Sequence, residues 1–243
     1  MATAPAFDPA TVEAVVFDVG GVFIYPDPAE IRAEAVRLGL VVPDDDLAFV
    51  RAHHAACRAL SDRDAHPDEH HPAFWDTYDR RYRTELGLPS GDGDGDGPAI
   101  GLRVAWSWPH RANIEAFHRL AATGMPVAVV SNNDGTAAEQ LVRAGVCQVG
   151  PGPLPEVVVV VDSTLAGVAK PHPDIFRPAL EALGALGVAV DRTLYVGDTV
   201  HADVLGARAA GLQVVQLDPF AHHADLDHHR VPDLAALVDL LLS

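Results

Sequence analysis

Lysine is almost missing from this chain. It has one, Lys170, against sixteen arginines, so that single ammonium is worth locating. Cysteine is nearly as scarce. Cys57 and Cys147 supply neither a disulfide framework nor zinc-ligand spacing, and both read as buried free thiols of a cytoplasmic protein. No apolar run approaches the roughly 20 residues needed to span a bilayer. Residues Met1 to Pro9 show neither the basic nor the apolar segment of a secretory signal. Positive charge is short overall: the net charge is −17 with histidine neutral. That balance argues against nucleic acid or an anionic membrane as partner. An anionic substrate would need a locally positive site, supplied by a metal ion or a placed lysine.

What the chain does have is a set of short apolar runs that stop at a polar residue. The first is Ala14-Val15-Val16-Phe17, which runs into Asp18 and then into Gly20 and Gly21. A run of this length fits a strand buried on both faces, and the glycines fit a tight turn at its C-terminal end. In an open α/β sheet ligands bind at that end. On this stretch alone Asp18 is either a ligand-facing carboxylate or the cap of the element after the strand.

Between about Pro26 and Ala105 helical patterns succeed one another without a strand signal. Asp27-Pro28 opens the first, with Ile31, Ala35, Val36 and Leu38 on one face and Gly39 ending it. The second runs from Asp44 to about Leu60, with Leu47, Val50 and His54 on one side. The third, from Pro72 to Leu86, carries an aromatic stripe of Phe74, Trp75, Tyr78 and Tyr82, read as packing. A glycine–aspartate run from Gly91 to Gly97 imitates the start of a calcium loop. Its twelfth position, which should be a bidentate Glu, is Arg103, so a flexible loop is the better reading.

From Pro109 helices and strands alternate. Helices are expected over Pro109–Thr123, Gly135–Ala144, Pro173–Leu186, His201–Ala210 and Leu234–Leu242. Strands are expected over Pro126–Val130, Val157–Val161, Thr193–Val196 and, as the last, Leu212–Leu217. This alternation means a parallel, doubly wound sheet. The expected organisation is an α/β core of residues 1–25 and 106–243, with an α-helical cap of residues 26–105.

Asp18, Ser131 and Asp198 each end a predicted buried strand, and Lys170 comes after another. In a parallel sheet those ends share one edge. A single polar terminus is readily a helix cap; four together, with the only lysine among them, make a site. The set suits phosphoryl transfer through a covalent intermediate. Asp18 serves as nucleophile, and Asp198, alone or with Asp203, holds Mg²⁺. Lys170 neutralises the phosphoryl oxygens. The Ser131 hydroxyl and nearby backbone N–H groups, with Asn132 and Gly21 among the phosphate-binding residues, orient them. Asp162 also ends a strand, where it is equally a site residue or a cap.

These pieces resemble the haloacid dehalogenase (HAD) superfamily of hydrolases, in its branch with a helical cap inserted after the first strand. Phe17-Asp18-Val19-Gly20-Gly21-Val22 resembles the first motif and Val130-Ser131-Asn132-Asn133 the second. Ala169-Lys170-Pro171-His172-Pro173-Asp174-Ile175-Phe176 resembles the third. Gly197-Asp198-Thr199-Val200-His201-Ala202-Asp203 resembles the fourth. The similarity covers about residues 12–24 and 108–217; the cap is similar in position and helicity only. The resemblance implies a Rossmann-like sheet with strands in the order 3-2-1-4-5 and Asp18 at the switch point. It also implies that the main-chain carbonyl of Gly20 joins Asp18 and Asp198 around Mg²⁺, with Asp203 as a ligand or as a support for the ligands.

The chain departs from the family's phosphatases at one position. They usually carry a second aspartate two residues after the nucleophile as general acid and base, and here that residue is Gly20. Losing such a group typically costs 10²–10⁴-fold in rate. Either the substrate has a good leaving group or another residue supplies the proton, with Asp27, His53 and His54 as candidates. The other histidines, among them His66, His70, His71, His222, His223, His228 and His229, sit in polar segments and read as no metal site.

The reading is a phosphatase of a small phosphorylated metabolite, a cytoplasmic monomer or homodimer with no nucleic-acid or membrane partner. Its alternative is a binding or regulatory protein that keeps the fold without turnover. A 2-haloacid dehalogenase fits less well, because the fourth motif is of the metal-binding kind.

Overall fold

The computed structural model describes residues 5–61, 72–89 and 106–243. The glycine–aspartate run and His66, His70 and His71 lie outside these. The chain divides into two compact units, Met1–Ile24 with Pro109–Ser243, and Tyr25–Trp108.

The first unit is built on a six-stranded sheet. Its strands are β1 (Ala14–Phe17), β4 (Val127–Ser131), β7 (Val160–Asp162), β8 (Thr193–Gly197), β9 (Gln213–Leu217) and β10 (His229–Val231). They lie in the order β10-β9-β8-β1-β4-β7, and every pairing is parallel. Numbered within the sheet, this is the expected 3-2-1-4-5 order with a sixth strand added. All four residues of β1 are buried, as an apolar run at the centre of a parallel sheet requires. Successive side chains point to opposite faces. Ala14 and Val16 therefore pack with Val130, Tyr195, Phe176, Ala179 and Leu183. On the other side the Phe17 ring meets Phe23 at 5.5 Å and Phe117 at 5.6 Å between centroids. Phe117 belongs to α4 (Arg111–Ala121), and Ala179 and Leu183 to α7 (Arg177–Ala185), so helices cover both faces.

Several elements differ from the sequence reading. The valine run is not one continuous strand: Glu156–Val157 (β6) pairs with Gln148–Val149 (β5) in a sheet of its own, and Val160–Asp162 pairs with β4 in the main sheet, where Val158 N also donates to Val127 O. Gln148 holds the first part of the run to β5. Its main-chain N–H donates to Pro155 O and its side chain ties Gly150 and Leu154, which draws the start of the run to a separate edge. Leu217 does not end the last strand, because β10 comes after it. Of its three residues only Val231 is buried, so no apolar run announces it. Pro173–Phe176 is a 3₁₀ turn ahead of α7, and Val200–Leu205 is wound as a π-helix ahead of α8 (Gly206–Ala209). The remaining helices of this unit are α5 (Ala137–Ala144), α6 (Ser163–Ala166) and α9 (Leu234–Leu241).

The second unit holds α1 (Pro28–Arg37), α2 (Asp46–Leu60) and α3 (Pro72–Glu85). Asp27 and Asp45 cap the first two by accepting from Ala29 N and Leu47 N. Phe49, Ala52, Ala56 and Cys57 of α2 form one core with Phe74, Tyr78 and Tyr82 of α3. The aromatic stripe is packing, as expected, except that Trp75 is exposed. Val36 and Leu47, expected on buried faces, are also exposed. The insertion is not wholly helical: β2 (Ile24–Pro26) pairs with β3 (Trp106–Pro109) in a two-stranded sheet. Isoleucine, tyrosine and tryptophan favour that extended pairing, and the prolines limit it. Among the described residues no helix is long and apolar enough to cross a membrane.

Candidate active site

β1, β4 and β8 end side by side, and their last turns carry Asp18, Ser131 and Asp198. Phe17 pairs with Val129 on one side and with Val196 on the other, so Asp18 is flanked by the ends of both neighbours. Lys170 comes to this edge on a loop fastened to β4. Asn132 Oδ1 accepts from Lys170 N at 2.8 Å, and Asn132 Nδ2 donates to Lys170 O at 3.1 Å. The Asn132 side chain thus positions the lysine. Ser131 ends β4 and is buried.

Lys170 is the electrostatic centre. Its ammonium lies 2.8 Å from Asp18 Oδ1, 2.7 Å from Asp203 Oδ1 and 2.9 Å from the Tyr195 hydroxyl. An ammonium has three donors, and here each has an acceptor. Asp203 is in turn surrounded by donors. Its Oδ1 faces Lys170 Nζ and the Tyr195 hydroxyl at 2.8 Å, and its Oδ2 accepts from Asp198 N, Thr199 N and Thr199 Oγ1. The π-helical turn brings Asp203 back over the strand end, and Gly197 makes room for it. A Cβ at Gly197 would lie 2.3 Å from Asp203 Cγ.

Burial sets the charges. It pushes the Asp18 carboxyl up to about 7, against the pull of Lys170 and with the push of Asp203 and Asp198. Burial opposes the Lys170 charge as well, but Asp18 and Asp203 outweigh it and raise the ammonium's pKa. Asp203 is held below the usual carboxylate range, since Lys170 and the Thr199 hydrogen bonds overcome its desolvation. Burial, with Asp203 beside it, raises the Tyr195 hydroxyl well above its ordinary value. At neutral pH the cluster therefore keeps its cation.

Asp18, Asp198 and Asp203 each offer a carboxylate oxygen, all within 4.8 Å of one another. Such an all-oxygen set suits a hard divalent cation. Asp203 already accepts from five donors, which leaves it little capacity to ligate an ion as well.

Other expected residues have partners of their own. The Gly21 N–H, expected among the phosphate donors, donates to Ile24 O at 3.0 Å, and the turn places Gly21 at a positive φ of 66°. Asp162 resolves as a cap: it accepts from Thr164 N at α6 and from Gly135 N and Ala137 N at α5. Asp27 caps α1 and accepts from Ser107 Oγ. His53 and His54 are buried. They are 2 % and 1 % exposed, with His53 Nδ1 2.7 Å from the Tyr78 hydroxyl and His54 Nε2 3.1 Å from the Tyr25 hydroxyl.

Two participants were not read from the sequence. Tyr195 joins Lys170 to Asp203, and Gln216 donates to the Asp198 carbonyl at 2.7 Å. The available signal was polarity inside an apolar strand, since each sits within a run of valine and leucine.

The order of the four motifs along the chain, with this cluster at their meeting point, is what the comparisons with known proteins test. The family model of haloacid dehalogenase-like hydrolases matches residues 12–211. The chain belongs to this family. A glyceraldehyde 3-phosphate phosphatase from Methanopyrus kandleri is 27 % identical over 216 residues, which cover 85 % of this chain and 84 % of the relative. One from Pyrococcus furiosus is 37 % identical over 68 residues, which cover 28 % of this chain and 27 % of the relative. The chain thus spans about a quarter of the length of some curated relatives it matches. Among solved structures, a HAD phosphatase from Thermococcus onnurineus superposes with a TM-score of 0.53 at 20 % identity, covering 95 % of this chain and 98 % of the other. An L-2-haloacid dehalogenase superposes with a TM-score of 0.55 at 21 % identity, covering 96 % and 99 %. The fold of this HAD-like hydrolase is therefore shared by phosphatases and dehalogenases alike, and its residues must decide between them.

Proposed function

We propose that this protein is a Mg²⁺-dependent phosphatase of a small phosphorylated metabolite, working through an aspartyl phosphate on Asp18. One observation carries the reading: a buried aspartate 2.8 Å from the chain's only lysine, with the Asp198 carboxylate close enough to share a cation with it. The curated relatives described above are phosphatases, which favours phosphate over a haloacid as substrate.

In the first half-reaction an Asp18 carboxylate oxygen attacks phosphorus, the O–P bond to Asp18 forms, and the bond to the leaving group breaks. In the second, water attacks phosphorus, the Asp18 carboxylate is regenerated, and inorganic phosphate leaves. Lys170 stabilises the charge on the phosphoryl oxygens, and its ion pair with Asp18 helps keep the nucleophile ionised despite burial. Ser131, at the neighbouring strand end, donates to the same oxygens. Asp18, Asp198 and the Gly20 carbonyl would hold Mg²⁺, which supplies charge neutralisation at the phosphoryl group when bound. Asp203 acts through Lys170 and the 198–199 main chain.

Gly20 offers no side chain to protonate a leaving group. The proposed substrates are therefore those that leave without a strong acid, such as acyl, anomeric or anhydride phosphates.

Phosphate release from a panel of acyl, aryl and alkyl phosphates tests the reading. The expected result is Mg²⁺-dependent turnover, abolished by Asp18→Asn and by chelator, with the acyl and aryl members fastest. A protein that binds Mg²⁺ with beryllofluoride yet turns over nothing is instead a binding or regulatory protein. Metal-independent halide release from 2-chloropropionate would make it a dehalogenase.

A further inference from the structure

Gln216 interrupts an otherwise apolar end of β9. It pairs in register with Gly197, the residue before Asp198, and none of it is exposed. Burying a primary amide is costly unless its atoms are paired, and here they are. Nε2 donates to the Asp198 carbonyl at 2.7 Å and lies 3.2 Å from His223 Nδ1, while Oε1 lies 2.5 Å from His228 Nε2. A carbonyl can only accept, so the bond to Asp198 fixes which way the amide faces. Oε1 then needs a donor, which places a proton on His228 Nε2.

The same aspartate is held at its other end, where its N–H donates to Asp203 Oδ2 at 3.2 Å. Asp198 is thus gripped on both sides, by Asp203 at the N–H and by Gln216 at the C=O. With both peptide groups fixed, the point from which its side chain departs is fixed, which limits where the carboxylate can reach. Asp203 belongs to the same motif as Asp198; Gln216 belongs to none of the four motifs.

We infer that Gln216, anchored by His228, is a positioning residue that aims the Asp198 carboxylate at the metal. The inference rests on the reading of Asp198 as a metal ligand given under Proposed function. Partners of this kind typically alter metal affinity by 10–100-fold when removed. Because the Gln216 amide touches the main chain of Asp198 and not the carboxylate, its loss should loosen metal binding more than it slows turnover at saturating metal.

The test titrates Mn²⁺ into the full-length protein by electron paramagnetic resonance, for wild type, Gln216→Met, His228→Ala and Asp198→Asn, with metal-free melting temperatures beside it. Gln216→Met is expected to bind Mn²⁺ about tenfold more weakly, and His228→Ala to weaken binding by a smaller factor. A Gln216→Met protein that melts lower but binds Mn²⁺ as the wild type does has lost only a structural contact, which overturns the inference. If Gln216→Met does not fold, His228→Ala decides, since this residue is only partly buried; unchanged affinity there also overturns it. Asp198→Asn separates the two levels. If it binds Mn²⁺ as the wild type does, the ligand reading itself fails. If it loses binding while the other variants keep it, only the role of Gln216 fails.

Discussion

Asp203 holds the Lys170 ammonium at 2.7 Å, and both side chains are almost wholly buried, at 1 % and 2 % exposure. Breaking a buried pair of this kind costs about 3–5 kcal/mol, because the remaining charge is left without its partner. Lys170→Met would strand two carboxylates, Asp18 and Asp203, next to each other. We predict a melting temperature well below that of the wild type, together with loss of turnover. A Lys170→Met protein as stable as the wild type would mean that the cluster is not ionised as described.

Asp203 and Asp198 should separate in their response to metal. Asp203 is engaged by five donors, whereas Asp198 is a metal ligand in the function proposed above. Asp198→Asn is predicted to abolish the rise in melting temperature that saturating Mg²⁺ produces by binding the native state. Asp203→Asn is predicted to lower kcat while keeping a measurable Mg²⁺-induced shift. Thermal melts with and without chelator distinguish them.

Gly197→Ala tests the close approach of Asp203. The added methyl would lie 2.3 Å from Asp203 Cγ and 2.6 Å from its Cβ, and Asp203 is tied at both oxygens. We predict loss of turnover, with a folded protein whose melting temperature is lowered by several degrees. Full activity would show that the π-helical turn yields easily.

Gly20→Asp tests the missing general acid. It should raise kcat/KM on alkyl phosphates more than on acyl or aryl phosphates, because only poor leaving groups need the proton. Equal effects on both classes would mean that the proton already comes from another group.

Acid should destabilise the C-terminal part of the sheet in two steps. Burial, with Arg230 and Arg208 nearby, lowers the His228 pKa to about 4 from 6.5. The unfolded chain therefore binds the proton first, and stability is lost as pH falls from about 6.5 through 4. For Asp218 burial works the other way, but hydrogen bonds from His223 and His222 prevail and hold it at about 2. Its contribution is complete above about 4 and is lost on descending to 2. Melting temperatures from pH 7 to 3 should show the first loss diminished in His228→Gln and the second retained.

Much of the site could be read from the sequence because a parallel sheet gathers its strand ends. Asp18, Ser131 and Asp198 each end a short apolar run, and Lys170 has no rival for its role. Tyr195 and Gln216 escaped because they sit inside strands and not at their ends, where a single polar group does not announce what it contacts. Asp162 stayed open between site and cap until the N–H groups donating to it could be identified. The partners of His53 and His54 were equally hidden, because Tyr78 and Tyr25 come from other elements of the second unit. β10 was missed because two of its three residues are polar.

The central claim is that Asp18 carries the phosphoryl group. Turnover of an acyl phosphate can be quenched in acid, the protein reduced with borohydride and its peptides mapped by mass spectrometry. The account predicts homoserine at position 18 in the wild type, dependent on Mg²⁺, and none in Asp18→Asn. Phosphate release without any modification of Asp18 would contradict it.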